Sequence, residues 1–281
     1  MDTNRLRHPD SSPVVEHSRG LAELFDRVAP DYDQAVPFFA TFGTRLVDWA
    51  ELPRGARVLD LGSGRGAVTA AAVDAVGSTG SVLAADISPE MAARLRAQAL
   101  PHVDVQVMDA QALDLADESF DAVLSGFLLH ILPDPGTALV EIARVLKPGG
   151  LLAMSVPGPS ADGGWWAAYG QIVAEFATRV AEGSSAGMTG PPDSWEACAE
   201  QAGFTYVDRE HTEVALPISG PEAHWSWLLS HGNRWLHDAL DETSRAEFRE
   251  QVLHSLRHSH PAGGTRLIAG AELHKMIKRN R

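Results

Sequence analysis

An α/β fold built on a parallel, doubly wound sheet is what the sequence predicts, and three observations carry it. Short apolar runs recur between residues 57 and 156, each followed by a helical pattern. The first run, RVLDLG, breaks off into closely spaced glycines at Gly62, Gly64 and Gly66. The spacing suits strand–helix–strand units, whose strands are buried on both faces and so read as continuous apolar stretches.

The elements follow in order. Residues 1–20 are polar and predicted to be loose. From Leu21 to about Leu52 the pattern is helical, with breaks at Pro30 and Pro37. RVLDLG (57–62) is the first strand, and AVTAAAVDAV is an Ala-rich helix closed by Gly77. SVLAADI (81–87) is the second strand. Ser88 then serves as an N-cap with Pro89 at N1, opening a helix over 89–99. VDVQVMDA (103–110) and FDAVLSGF (120–127) read as strands three and four. A helix near Pro135–Leu146 ends at KPGG, and LLAMSV (151–156) is strand five.

Residues 157–200 leave the alternation. They hold Gly163, Gly164, Trp165, Trp166, a helical stretch to about Ala181 and the loop GSSAGMTGPP, and are predicted to form an insertion over the sheet top. Strand character resumes in FTYVDREHTEVALPI. A Trp- and His-rich helical region (222–260) and a last strand, TRLIAGAEL, complete the chain.

Composition narrows the function classes. The chain has 281 residues, 44% of them hydrophobic, enough to bury a core without staples or metal. Cys198 is the sole cysteine, which rules out an intrachain disulfide and fits a reducing cytoplasm. The start, MDTNRLRHPDSSPVVEHSRG, has no apolar h-region and is read as no signal peptide. No apolar run approaches the ~20 residues of a membrane span. A net charge of -14 repels phosphate, against a nucleic-acid partner. Lys275, Lys278, Arg279 and Arg281 read as a solvated helix end.

Motif residues at 62–66, 86–91, 109–111 and 125–130 all follow strand ends, so the fold brings them to one crevice. In Gly62-Ser63-Gly64-Arg65-Gly66 the missing β-carbons let backbone approach a ligand, and the next helix offers free N–H groups. With Ala67 the loop also fits a dinucleotide fingerprint. Asp60 tips the balance, because a carboxylate there would oppose a diphosphate but suit a ligand carrying an ammonium and a sulfonium. Asp86, twenty residues beyond Gly66, is placed to accept hydrogen bonds from two ribose hydroxyls, or simply to cap the next helix. Asp109 is placed to accept an adenine amino group, or is a turn residue.

Taken together, VLDLGSGRG, AADISPEM, MDAQALDLADESFDAVLSGFLLHI and EIARVLKPGG resemble the class I methyltransferases, in their ubiquinone/menaquinone-biosynthesis-like branch. The resemblance is good over about residues 24–156. It implies a Rossmann-like seven-stranded methyltransferase sheet with helices on both faces and a helical cap, strand seven running antiparallel between strands five and six. It implies S-adenosyl-L-methionine as cofactor and S-adenosyl-L-homocysteine as product. Gly62, Ser63, Gly64 and Gly66 would face the methionine and ribose, and Asp60 the ammonium end. Asp86 would hold the ribose, with Ile87 and Met91 beside the adenosine and Asp109 and Ala110 at the adenine. Ser125 and Gly126 would flank the cofactor, and Tyr32 would close over its methionine end. PEAHWSWLLSHGNRWL and RLIAGAELHK resemble the accessory region of actinobacterial small-molecule methyltransferases. The chain then divides into an N-terminal helical lid (1–52), a cofactor-binding core (53–156), a cap insertion (157–200) and a C-terminal completion of the sheet with substrate-facing helices (201–281).

For the acceptor side, His130 follows strand four and is a candidate base, or a packed or solvent-facing helix histidine, and Tyr32 is a second candidate from the lid. Phe127, Trp166 and Trp225 are the expected walls of a pocket for a flat apolar molecule. His254 and His258 share a helix face, but no third ligand of fitting spacing stands out, so no metal is expected. The function that emerges is methylation, at ring carbon, oxygen or nitrogen, of a small planar aromatic metabolite in specialised biosynthesis. A nicotinamide-dependent oxidoreductase and a non-catalytic cofactor-binding protein are the alternatives.

Overall fold

The computed structural model describes residues 13–180, 192–259 and 266–280. Seven strands form one sheet: β1 (Arg57–Leu61), β2 (Ser81–Asp86), β3 (Val103–Val107), β4 (Phe120–Gly126), β5 (Leu146–Gly158), β6 (Phe204–Pro217) and β7 (Arg266–Lys278). Their order across the sheet is β3-β2-β1-β4-β5-β7-β6. The first five pair in parallel, Leu61 opposite Ala85 and Gly126 opposite Ser155. β7 runs antiparallel to both β5 and β6. The parallel strands therefore all present their carboxyl ends at one edge.

Helices cover both faces because each βαβ crossover must bury an apolar stripe on the sheet. On one face lie α2 (Phe38–Ala50) and α3 (Ala67–Val76), which share a core with Val58, Val82 and Leu124. On the other lies α5 (Pro135–Val145), packing Leu139 and Ile142 against Leu59, Val123 and Leu152. α4 (Pro89–Arg96) opens as the sequence requires: Ser88 accepts from the Met91 N–H and Pro89 occupies the first turn. Asp134 and Pro135 open α5 in the same way.

Several expectations are corrected here. The polar N-terminus is helical from Pro13 onward: α1 (Pro13–Val28) buries Leu21, Leu24 and Val28 against the body. Residues 1–12 lie outside the described residues, as does the loop GSSAGMTGPP up to its last proline. Among the described residues of the stretch expected to cap the sheet, α6 (Trp165–Ala177) lies over the strand ends beside an aromatic cavity. α7 (Trp195–Gln201) lies on the sheet beside α5, because Trp195 and Ala199 belong to the same core as Phe204 and Leu139. The helical region after β6 divides into α8 (Pro221–Leu228), α9 (Arg234–Ala239) and α10 (Glu242–Ser259). The basic C-terminal segment is not a helix end. It is the continuation of β7, where Lys278 is 8% exposed and donates to the Leu146 carbonyl oxygen at 2.6 Å. β7 is paired on both sides, with β5 and β6, so even its polar and basic positions are buried or half-buried beyond Arg266. Among the described residues no helix is long and apolar enough to cross a membrane.

Candidate active site

The carboxyl ends of β1, β2 and β4 frame a crevice. The Gly62 and Ser63 amides donate to the Ala85 carbonyl at 2.8 and 3.0 Å, which ties the glycine loop to β2. Gly64 has φ 51°, and a β-carbon there would meet nothing nearer than the Tyr32 ring at 3.8 Å, so it leaves backbone open to the crevice. Gly66 serves packing instead: its φ is 91° and a β-carbon would strike Leu95 at 2.5 Å.

Two carboxylates line the loop. Asp60 is fully buried; the Thr69 hydroxyl donates to its Oδ2, while Oδ1 has no partner. Burial pushes its pKa up to about 7. Asp86 accepts from the Gly64 amide at 2.7 Å on Oδ2 and from the Ser88 amide at 2.9 Å on Oδ1. Burial raises it to about 6. The ribose and helix-entry roles considered for Asp86 are thus not exclusive, since each oxygen keeps a lone pair. The Ser63 hydroxyl borders the groove along the loop and is buried without a partner among the described residues; so is the Ser125 hydroxyl, which lies within β4 and borders none of the site's cavities. Buried acceptors and a hydroxyl left open around a glycine cradle fit an ammonium group and a ribose diol, and two buried carboxylates disfavour a diphosphate.

Beside Asp86, the residues Ile87, Met91, Asp109 and Ala110 border a cavity of about 60 Å³. Asp109 accepts from the Gln111 amide at 2.9 Å, and Gln111 in turn reaches Ser18 of α1. Ser18, Leu21 and Phe25 of α1 form the roof. The volume is well under the ~300–1,000 Å³ of ordinary ligand sites, so α1 must shift to admit a nucleoside. Arg65 links that roof to the glycine loop, donating to the carbonyls of Ala29, Pro30 and Tyr32 at 3.3, 3.1 and 3.1 Å.

Tyr32 and Phe127 stand where this cavity, the groove along the glycine loop and a third, aromatic cavity meet. The Tyr32 ring stacks on Phe39 with centroids 4.6 Å apart. Burial, then Asp33 and Asp86, push its phenol well above the usual tyrosine value, so the hydroxyl keeps its proton in the free protein. Phe127 sits at φ 53°, an uncommon conformation for a bulky residue, at the exit of β4. Its amide donates to the Ser155 carbonyl at 3.0 Å.

The aromatic cavity encloses about 410 Å³ and, among the described residues, no Asp, Glu, Lys or Arg borders it. His130 borders it from the 3₁₀ turn Leu129–Ile131, its ring 6.2 Å from that of Phe127. His130 Nδ1 is buried without a partner, and burial lowers the pKa to about 4, so the imidazole is neutral at physiological pH. Trp166 is placed as expected: its Nε1 donates to the Ile268 carbonyl at 2.8 Å, which leaves the ring face on the cavity.

Trp225 is not a pocket wall. Its ring packs on Phe248 and His237, and Trp227 faces the cavity in its place. Two residues along a helix are about 200° apart, so the two tryptophans of α8 look in opposite directions. Sequence reasoning also missed Tyr169, His231 and Asn233, which border the same cavity. Tyr169 follows Trp166 by one helical turn, a spacing that shares a face and was the signal available. Among the described residues no group of three or more His, Cys, Asp or Glu is placed to hold a metal.

Comparison with known proteins agrees with this geometry. Residues 59–154 match the methyltransferase domain model. Over 258 residues the chain is 30% identical to the nocamycin O-methyltransferase of Saccharothrix syringae, covering 86% of this chain and 92% of that protein. Over 146 residues it is 38% identical to the aklanonic acid methyltransferase DauC of Streptomyces sp. (strain C5), covering 50% of this chain and 66% of that one. A Bacillus halodurans C-125 structure described as a candidate methyltransferase superposes with a TM-score of 0.59 at 20% identity, over 85% of this chain and all of the other. The 4+2 cyclase SpnF superposes with a TM-score of 0.55 at 21% identity, covering 86% of this chain and 81% of that one. Those two likenesses establish the fold alone. The 30% identity to the nocamycin enzyme over most of both chains goes further: the chain belongs to the S-adenosylmethionine-dependent methyltransferases.

Proposed function

We propose that the protein transfers a methyl group from S-adenosylmethionine to an oxygen of a small, planar aromatic metabolite in specialised biosynthesis. The observation that carries this reading is the aromatic cavity of about 410 Å³ that meets the glycine-loop crevice at Tyr32 and Phe127. The names of the nocamycin and aklanonic acid enzymes support a small-molecule acceptor, and the former an oxygen.

Asp60 Oδ1 would take the cofactor's ammonium, Asp86 its ribose hydroxyls, and Asp109 and Ala110 would border the adenine. Bound there, S-adenosylmethionine supplies an electrophilic methyl group whose bonding pair stays on sulfur. The protein's own part is alignment, exclusion of water and removal of a proton. Phe127 and Trp166 hold a flat ring at the junction. His130, neutral and desolvated, receives the acceptor's hydroxyl proton. Tyr32 closes the junction from the lid side.

Titration calorimetry tests the reading first: S-adenosylmethionine and S-adenosylhomocysteine bind, and NAD does not. Tight NAD binding would favour an oxidoreductase and remove it. Mass spectrometry of a panel of phenols incubated with S-adenosylmethionine then separates an enzyme from a non-catalytic binder, because only the former yields a product heavier by one methyl group.

A further inference from the structure

The acceptor cavity holds a second imidazole. His231 lies between α8 and α9, is 7% exposed, and sets its ring edge-on to Phe39 at 5.7 Å and to Trp227 at 4.5 Å. We propose that His231 is a specificity-determining residue that donates a hydrogen bond from Nε2 to a carbonyl oxygen of the acceptor, so that the acceptor class is an uncharged planar aromatic bearing both a hydroxyl and a carbonyl. This rests on the methyltransferase reading and narrows it.

The tautomer follows from the neighbour. Asn233 Nδ2 lies 3.4 Å from His231 Nδ1. An amide NH₂ has only hydrogens to offer, so Nδ1 accepts and the ring proton resides on Nε2. That Nε2 is buried and has no partner among the described residues. A buried donor without an acceptor is costly, and its retention in a cavity wall points to a partner supplied by the ligand. Burial, with His224 nearby, lowers the His231 pKa to about 3, which keeps the ring neutral. A neutral donor suits a carbonyl oxygen.

The rest of the wall agrees. With no charged side chain among the described lining residues, a carboxylate or an ammonium entering the cavity would lose its hydration without a counter-ion. His130 neighbours Phe127 and His231 neighbours Phe39, and the two phenylalanine rings meet edge to face with centroids 5.9 Å apart. A ring seated against them meets a proton acceptor on the Phe127 side and a donor on the Phe39 side. A hydroxyl directed at His130 and a carbonyl directed at His231 satisfy both.

The test uses the full chain saturated with S-adenosylhomocysteine, so that binding is read without turnover. Calorimetry at about pH 6 compares 2-hydroxyanthraquinone with 2-hydroxyanthracene, and adds anthraquinone-2-carboxylate as the charged arm. Wild type is expected to bind the hydroxyanthraquinone about tenfold more tightly than the hydroxyanthracene, and the carboxylate more weakly than both. His231→Phe should erase the preference, and His231→Gln, which restores an N–H donor, should return part of it. Asn233→Leu leaves the imidazole but removes its orienting amide; it should shrink the preference, and it keeps the test open should the His231 variants fail to fold. Equal or absent affinity for the two aromatics in wild type overturns the proposal. So does a preference that survives His231→Phe, or tighter binding of the carboxylate. Failure of wild type to bind S-adenosylhomocysteine overturns the methyltransferase reading itself, a separate result.

Discussion

The crevice at the strand ends and the aromatic cavity above it are made in different ways. The crevice is backbone and carboxylate: three glycines at positive φ, Asp60, Asp86 and Asp109, each within five residues of a strand terminus. The cavity is side chain: Phe39 from α2, Phe127 after β4, Trp166 and Tyr169 from α6, Trp227 from α8 and His231 from the turn beyond it. The first is polar and acidic, the second apolar with neutral polar atoms. A site made from loop geometry tolerates little change, because backbone position is the recognition element. A site made from facing side chains can be refitted to a new acceptor one residue at a time. The contrast predicts where substitutions abolish function and where they only redirect it.

The largest effect is expected in the cavity, beside Phe127. His130→Ala should lower turnover of an oxygen acceptor by about 10²–10⁴-fold with little change in cofactor affinity. In wild type the proton-accepting form persists down to about pH 4 in the free enzyme, so turnover should hold from neutral pH well into the acid range. Steady-state kinetics against pH would check both. A mutant with full turnover and an unchanged profile would make His130 a packing residue and leave the base unassigned.

Next comes the crevice. Asp86→Ala removes a carboxylate that already fixes the Gly64 and Ser88 amides. Hydrogen bonds to a charge are worth about 1.5–3 kcal/mol each, so the loss of two from the ribose should weaken S-adenosylhomocysteine by roughly 10²-fold or more. Calorimetry reads it directly. An unchanged dissociation constant would confine Asp86 to capping.

The difference in construction also explains what was legible. Strand ends, glycine spacing and N-caps are local signals, so β1–β5 and the crevice could be read from runs such as RVLDLG and AADISP. Trp225 shows the limit. Two tryptophans separated by one residue are equally good pocket candidates in sequence, and only the rotation of α8 decides between them. The extent of β7 was obscured because Lys275 and Lys278 read as solvated, whereas their ammonium groups reach the Trp49 and Leu146 carbonyls. His231 carried no sequence signal, because its place on the cavity depends on rings contributed by other elements, Phe39 of α2 and Trp227 of α8.

The tryptophans give a smaller and sharper test of the same contrast. Trp166→Ala should raise the acceptor's KM by about tenfold and leave cofactor affinity alone, since its ring faces the cavity. Trp225→Ala should cost about 3–5 kcal/mol of stability as a core deletion. That loss should appear as a lower thermal midpoint with acceptor selectivity unchanged. If Trp225→Ala altered selectivity, the cavity wall would include the far side of α8.

The smallest effect concerns protons and belongs to the crevice alone. In the free protein burial holds the Asp60 pKa up to about 7, against an unperturbed value of 3.8. A raised carboxyl pKa means that the folded chain binds a proton the unfolded chain has released. The stability this contributes is fully present below the unperturbed value and is lost as pH rises through about 7. A cationic ammonium beside Oδ1 favours the carboxylate, so binding the cofactor should expel that proton. Affinity should then weaken as pH falls below about 7, by at most tenfold per pH unit. Calorimetry in buffers of different ionisation enthalpy counts the proton: close to one released near pH 6 and little near pH 8. Asp86, raised to about 6, would face neutral ribose hydroxyls in the proposed complex and contribute far less to the count. Asp60→Asn separates the two, because the amide cannot titrate while Asp86 remains. Release undiminished in that variant would assign the proton elsewhere and place the cofactor's ammonium away from Asp60.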